Sequence, residues 1–161
     1  MKLAIYPGTF DPVTHGHLDI LRRASRLFDK VLVAIADNES KNPLFTVEER
    51  LALLAPHLKS MRKVSTARLE GLTVDFARKH GAVALIRGLR AVSDFEYEFQ
   101  MAQMNRHLDP TIETIFLMPS HTFFYTSSHI VKQVCQVDSS RLEQFVPPNV
   151  LKALRKKFGR K

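Results

Sequence analysis

Tyr6-Pro7-Gly8-Thr9-Phe10-Asp11-Pro12-Val13-Thr14-His15-Gly16-His17 decides how this chain begins. Upstream, Leu3-Ala4-Ile5 is an apolar run that reads as a first β-strand; downstream, Leu18, Leu21, Ala24 and Phe28 recur at helical spacing. The stretch is therefore a Gly/Pro-rich turn between a strand and a helix. At such a junction the N–H groups of the helix N-terminus face outward, and in α/β proteins phosphates settle there. Gly16 lets an anion approach the backbone closely, and His17, near the first helical turn, can donate a hydrogen bond to it. The same stretch has a bland use, since a Gly-Thr-Phe-Asp-Pro turn beside a histidine is as often only a loop. It matches neither GxxxxGK(S/T) nor GxGxxG, so a nucleotide site here rests on glycine and histidine.

Strand-like runs follow at intervals, at 2–6, 30–36, 64–69, 83–87 and 114–118, with helical segments between them. Thr46-Val47-Glu48-Glu49 is a capping box, with Thr46 as N-cap and Glu49 reaching back, and Val47, Leu51, Leu54 and Leu58 share one face of the helix it opens. Such alternation predicts an α/β fold: a Rossmann-like parallel sheet in a single domain, 1–161, with helices on both faces. Right-handed crossovers then bring the strand ends to one edge, where ligands bind. One segment is ambiguous. Phe95, Tyr97, Phe99 and Met101 alternate with Glu96, Glu98 and Gln100 as in a strand, yet β-branched residues are absent and good helix formers continue to Arg106. We read it as a helix, apolar over more of its circumference than one core face needs, and assign the excess to a subunit contact.

At 161 residues the chain is long enough for one domain with a substantial core, and 45% hydrophobic with 25% charged residues is ordinary for a soluble globular protein. The lone Cys135 fits a reducing compartment. Neither a signal peptide nor an apolar run of membrane-spanning length is apparent, so the expected setting is cytoplasmic, without a membrane partner. The net charge of +8 suits nucleic acid or small polyanions equally. Its placement favours solvation: Lys152, Arg155, Lys156, Lys157, Arg160 and Lys161 crowd a C-terminal helical tail, and Arg22, Arg23 and Arg26 lie opposite the leucines of the first helix. Interleaved aromatics, zinc-finger spacing and HExxH are all missing, so no nucleic-acid partner and no protein-held metal are expected.

Two further segments fall at the predicted ligand edge. In Ile86-Arg87-Gly88-Leu89-Arg90, a glycine keeps the backbone open between two guanidinium groups, a suitable arrangement for phosphate oxygens; the bland alternative is surface charge at a strand end. Asp94, Glu96 and Glu98 follow. They can orient those arginines, or Glu98 can accept from a ribose hydroxyl or an adenine amine. After the fifth strand comes Pro119-Ser120-His121-Thr122-Phe123-Phe124-Tyr125-Thr126-Ser127-Ser128-His129-Ile130-Val131-Lys132, a hydroxyl-rich loop entering a helix. Capping is the commonest task of such a loop, and the same physics binds phosphate. Its aromatics either flank a purine or are buried. Lys41 sits in a loop after the second strand, at the same edge.

These segments also carry a resemblance. Thr14-x-Gly16-His17 is similar to the (T/H)xGH signature of the nucleotidyltransferase superfamily. LIRGLRAVSDFEYEFQMAQMNRHL (residues 85–108), together with FLMPS (116–120) before a Ser-Ser helix start, resembles the bacterial phosphopantetheine adenylyltransferases. The likeness runs from the first strand to the last helix. It implies transfer of the adenylyl group of ATP to 4'-phosphopantetheine, giving dephospho-coenzyme A and pyrophosphate. It further implies that Thr9 and Lys41 hold the acceptor phosphate with help from Arg87, and that Thr73 lies near the pantetheine arm. His17 would contact ATP phosphate and stabilise the transition state, with Thr9, Lys41 and Arg90 also in the catalytic set. Thr9, Phe10, Gly88, Leu89, Arg90, Glu98 and the run Phe123, Phe124, Tyr125, Thr126, Ser127, Ser128, His129 would surround ATP. Mg²⁺ held mainly by ATP phosphates, a homohexamer built from trimers and feedback inhibition by coenzyme A come with the family. The chain departs from its usual Ile-Ser-Ser-(Ser/Thr) pattern at Thr126-Ser127-Ser128-His129, and has Phe123 where some relatives have Trp or Tyr.

Such chemistry needs no covalent enzyme intermediate. The acceptor phosphate is already an anionic nucleophile, so positioning and charge stabilisation suffice, which suits a site of Lys, Arg, His and hydroxyls without an evident general base. Two alternatives are weighed: a related adenylyltransferase using another phosphate acceptor such as nicotinamide mononucleotide, and a non-catalytic nucleotide- or RNA-binding module using the basic tail. The RGLRAVSDFEYE block speaks against the first, His17 and Lys41 against the second.

Overall fold

The computed structural model describes residues 1–37, 42–90 and 92–159, and the side chains of all of these except 92–94. Strands β1 (Leu3–Gly8), β2 (Lys30–Ala36), β3 (Val64–Leu69), β4 (Ala84–Gly88) and β5 (Glu113–Leu117) form one parallel sheet in the order β3-β2-β1-β4-β5. Helices α1 (His15–Leu27), α2 (Val47–Leu58), α3 (Thr73–Lys79), α4 (Val92–Leu108), α5 (Ser128–Val137) and α6 (Pro148–Lys157) connect and cover it. Each strand lies within one or two residues of its predicted place. β1 runs on through Pro7 to Gly8, and Pro7, which has no N–H to give a ladder, lies where β1 pairs with β2 alone.

Side-chain alternation divides the core between the two faces of the sheet. Ala4 and Tyr6 of β1, Val31, Val33 and Ile35 of β2, and Ala84 and Ile86 of β4 pack with Leu18 and Leu21 of α1, Leu54 of α2, Val131 of α5 and Leu154 of α6. Ile5, Leu32, Ala34 and Leu85 point the other way, onto Val74, Phe76 and Ala77 of α3. Near this second layer, Met101, Ala102 and Asn105 of α4 share a groove with Leu85 and Thr114. The alternation at residues 95–101 lies inside α4, where Phe95, Tyr97, Phe99, Met101, Met104 and Leu108 are all exposed.

Sheet order sets the ligand edge. After β3 the chain crosses to the far side of β1, so neighbouring connections leave β1 and β4 in opposite directions. The β1–β2 ladder extends from Leu3 opposite Lys30 to Gly8 opposite Ile35, whereas β1 and β4 pair only at Ala4–Ala84 and Ile5–Leu85. Beyond Ile5 they part, and a crevice opens at the switch point.

The basic tail is more firmly held than its composition suggests. Val150, Leu151 and Leu154 bury one face of α6, Lys157 Nζ reaches Glu49 at 2.9 Å and lies over the Phe45 ring, and Arg155 Nε donates to Ser139 Oγ at 3.0 Å. Burying three aliphatic side chains outweighs the repulsion of a few exposed charges. Arg160 and Lys161 lie outside the described residues. On α1, Arg23 Nη1 donates to the Met118 carbonyl at 2.6 Å. Among the described residues no helix is long and apolar enough to cross a membrane.

Candidate active site

The crevice is a cleft of about 680 Å³ at the carboxyl ends of the strands. The β1–α1 loop supplies Thr9, Phe10, Asp11 and Thr14, and the first turn of α1 supplies Gly16 and His17; the end of β4 and the residues after it supply Arg87, Gly88 and Arg90; α4 adds Tyr97 and Glu98; the entrance and first turns of α5 add Thr126, Ser127, Ser128, His129 and Lys132. Two helix N-termini, those of α1 and α5, therefore meet in one cleft, and their exposed N–H groups and dipoles favour an anion there.

His17 is fixed by the cap of its own helix. Thr14 is the N-cap, and its hydroxyl accepts from the His17 backbone N–H at 3.3 Å. In return the Thr14 backbone N–H donates to His17 Nδ1 at 3.0 Å. This is a capping box with histidine in the place usually held by Glu or Gln. An Nδ1 that accepts carries no proton, so the neutral ring keeps its hydrogen on Nε2, on the side turned away from the cap. Burial, and then the nearby Arg90 guanidinium, lower the His17 pKa to about 3, so the ring is a neutral donor throughout the physiological range. Phe10 braces it: the two rings lie 5.0 Å apart, and Phe10 meets Tyr6 edge-on at 5.3 Å. Phe10 itself is 2% exposed and holds φ at 48°, a strained value for a residue with a side chain. A Cβ on Gly8 would come within 3.0 Å of the Phe10 ring, so the glycine makes room for that brace.

The opposite wall is cationic. Arg87 Nε and Nη2 donate to the two carboxylate oxygens of Glu98, each at 2.6 Å, and Nη1 donates to the Pro7 carbonyl at 3.2 Å. Burial works against the Arg87 charge, and the Glu98 carboxylate more than offsets it, leaving the pKa raised. Of the two roles open to Glu98, orienting an arginine is the one this geometry realises. Arg90 Nη1 donates to the Thr126 carbonyl at 3.3 Å, joining β4 to the α5 entrance. The Tyr6 phenol is held neutral, chiefly by burial.

At α5, Ser127 performs the capping task, accepting from the Ile130 N–H at 3.1 Å, and Ser128 donates to the Pro12 carbonyl at 2.7 Å. Thr126 Oγ1 is buried and makes no hydrogen bond among the described residues, although Thr126 lines the cleft. A polar atom left in that position is suited to a ligand. Lys132 Nζ meets Asp11 at 2.6 Å, and the Asp11 carboxylate also accepts from the N–H groups of Leu44 and Phe45 at 3.0 and 2.9 Å.

Of the residues singled out in the sequence, Thr9, Phe10, His17, Thr73, Arg87, Gly88, Arg90, Glu98, Thr126, Ser127, Ser128 and His129 line this one cleft. Leu89, Phe123, Phe124 and Tyr125 are not in its wall. Leu89 donates its N–H to Leu117 at 3.1 Å, Phe123 packs against His15, and Tyr125 is 84% exposed with Phe124 at its edge. Lys41 lies outside the described residues. Thr14, Asp11 and Lys132 fall inside the stretches singled out in the sequence, where none of them is assigned a role of its own. The i, i+4 spacing of Ser128 and Lys132 on α5 was the available signal for the lysine. Among the described residues no group of three or more His, Cys, Asp or Glu side chains is arranged to hold a metal ion.

The cytidylyltransferase-like family model matches residues 5–134. A phosphopantetheine adenylyltransferase of Opitutus terrae is 55% identical over 161 residues, covering all of both chains. Another from Geotalea daltonii is 52% identical over 160 residues, 99% of each chain. Among solved structures, a Plasmodium falciparum nicotinic acid mononucleotide adenylyltransferase complexed with NaAD superposes with a TM-score of 0.72 at 15% identity, covering 98% of this chain and 96% of its own. A putative nicotinate-nucleotide adenylyltransferase from Vibrio parahaemolyticus gives 0.71 at 16% identity, with 97% and 93% covered. The structural neighbours share the fold, and the full-length relatives settle the kinship: the chain belongs to the phosphopantetheine adenylyltransferases, within the cytidylyltransferase-like nucleotidyltransferases.

Proposed function

We infer that the protein transfers the adenylyl group of ATP to the phosphate of 4'-phosphopantetheine, a step of coenzyme A biosynthesis. An oxygen of the acceptor phosphate attacks the α-phosphorus, a new P–O–P linkage forms, and the bond to the β-phosphate oxygen breaks to release pyrophosphate. His17 supplies a neutral Nε2–H donor for charge developing at the α-phosphate, a role that needs no proton transfer to or from the enzyme. Arg90 and the α5 N-terminus serve the triphosphate, with the buried Thr126 hydroxyl available to it. Arg87, held flat by Glu98, serves the acceptor phosphate with Thr9 and Lys41.

The observation that carries this choice of acceptor is a narrow groove of about 60 Å³ that shares Pro7, Thr73, Arg87, Tyr97 and Glu98 with the main cleft and continues to Met101, Ala102, Asn105 and Thr114. A groove this small leaves no room for a second bulky nucleoside and admits only the start of a slender arm behind a phosphate at Arg87. Purified protein given ATP should release pyrophosphate with 4'-phosphopantetheine and not with nicotinamide mononucleotide. The reverse preference would overturn the reading.

Mg²⁺ belongs to the same proposal as a partner of the ATP phosphates. Asp11 and Glu98, the carboxylates in the cleft wall among the described residues, are committed to Lys132 and Arg87, so the ion's ligands would come mainly from the triphosphate and water. Coenzyme A, which extends the product, would occupy the same cleft as an inhibitor. Self-assembly through α4 into a hexamer, a cytoplasmic setting, and the absence of nucleic-acid and membrane partners complete the proposal.

A further inference from the structure

We propose that Arg50 is a positioning residue for the acceptor phosphate, holding the carboxyl ends of β1 and β2 in the register the cleft requires. The proposal rests on the adenylyl-transfer reading, in which Thr9 serves that phosphate. Arg50 stands on α2 and is 1% exposed, the bulkiest of the fully buried side chains. Its Nη1 donates to the carbonyls of both Thr9 and Ala36, each at 2.8 Å, and its Nε donates to the Thr46 carbonyl at 3.2 Å. The β1–β2 ladder ends with Gly8 opposite Ile35, and Thr9 and Ala36 are the next residue on either strand. One guanidinium nitrogen thus takes over where the ladder stops. Nη2 makes no hydrogen bond among the described residues and lies 3.8 Å from Asp37, whose other oxygen is held by Arg68.

A buried cation is a costly way to satisfy two carbonyls that a water molecule could serve. What it adds is rigidity: a planar fork reaches both strand ends and the first turn of α2 at once, with a geometry a flexible ammonium cannot copy. Thr9 and Ala36 both line the cleft while Arg50 does not, so it acts through the backbone that carries Thr9 and not on the substrate.

The test is steady-state kinetics of Arg50→Met and Arg50→Lys, with thermal melting and with Arg68→Met as a control that keeps both carbonyl bonds. Misplacing a positioning group by about 1 Å costs on the order of 100-fold, so Arg50→Met should lower kcat/KM for 4'-phosphopantetheine about 10- to 100-fold, with the ATP KM moving less than about threefold. Arg50→Lys should recover part of the loss, and Arg68→Met should match wild type. A wild-type protein inactive with phosphopantetheine removes the adenylyl-transfer reading and this proposal together. Active wild type with an Arg50→Met variant whose ATP KM rises as far as its kcat/KM for phosphopantetheine falls, or whose kcat/KM for phosphopantetheine is unchanged, overturns this proposal alone. So does failure of both Arg50 variants to fold, since the residue would then be structural.

Discussion

Thr14 and His17 cap each other: the threonine hydroxyl accepts from the histidine backbone, and the histidine Nδ1 accepts from the threonine backbone at 3.0 Å. One local motif therefore caps the start of a helix and fixes the ring proposed as the donor for catalysis. The three-residue spacing of Thr14 and His17 follows, since N-cap and N3 are three residues apart. A Cβ on Gly16 would meet no protein atom closer than 3.5 Å, so the fold itself tolerates a side chain there.

Replacing His17 by alanine should leave ATP binding nearly unchanged and reduce turnover about 10²–10³-fold, the usual effect of losing one preorganised donor to developing charge. Calorimetric titration of ATP beside steady-state kcat checks both halves. Near-normal turnover would remove His17 from the mechanism.

The depressed His17 pKa has two consequences of fixed sign. In the unfolded chain a histidine takes up its proton near pH 6.5, whereas the folded ring stays neutral down to about 3. Its contribution to stability is therefore complete above pH 6.5 and declines as pH falls from there toward 3, by up to about 1.4 kcal/mol per pH unit. His15 is lowered as well, mainly by burial, and acts in the same direction. Replacing His17 by glutamine, which can still close the capping box, should flatten the fall in stability between pH 6.5 and 5. Nitrogen NMR of the wild-type ring should report the neutral Nε2–H tautomer across that range. A ring titrating with a midpoint near 6.5 contradicts the assignment, and any acid limb of kcat in this range would belong to the substrate phosphate.

Glu98 holds Arg87 by both oxygens, and the pair is only partly exposed, 29% for the arginine and 14% for the glutamate side chain. Glu98→Gln keeps one acceptor oxygen and replaces the other by a donor that faces a guanidinium. Loss of the bidentate fork should raise the KM for phosphopantetheine several-fold, roughly as expected for a charge-assisted bond weakened by about 1–2 kcal/mol, with a smaller change for ATP. If the ATP KM rises instead, Glu98 belongs to the nucleotide subsite.

Much of the site was legible because its chemistry is local. Glycine between arginines after a strand, and hydroxyls before a helix, declare their own backbone context, and the strand–helix alternation brings those places to one edge. The roles within the site were less so. Glu98 follows Arg87 by eleven residues, and only the α4 path over the sheet turns that separation into a fork. Asp11 and Lys132 meet from opposite ends of the chain. The aromatic run at 123–125 lies away from the cleft wall for a physical reason: a short 3-10 turn at His121–Phe123 carries Phe123 onto His15 and leaves Tyr125 outside, and a turn of that kind leaves no periodic trace in sequence. The solvated character assigned to the C-terminal charges missed α6 packing because the three buried aliphatics are interleaved with the lysines.

α4 supports the last prediction. Its Glu98 and Tyr97 serve the cleft, while Phe95, Phe99, Met104 and Leu108 remain 45–55% exposed. Phe95 and Phe99 stack at 5.7 Å, and Phe95 touches Phe116 of β5 at 6.3 Å, so the patch continues from helix to sheet edge. A contiguous exposed apolar surface of this kind is suited to a contact with another chain. We expect a stable oligomer in which α4 packs against a second copy. Covering an aromatic side chain contributes roughly 1.5–3 kcal/mol, so Phe99→Glu or Met104→Glu, which bury a charge in place of an apolar group, should shift the assembly toward smaller species. Sedimentation velocity at micromolar concentration measures this directly. A monomeric wild type would remove the oligomer, and an oligomer indifferent to both substitutions would move the contact away from α4.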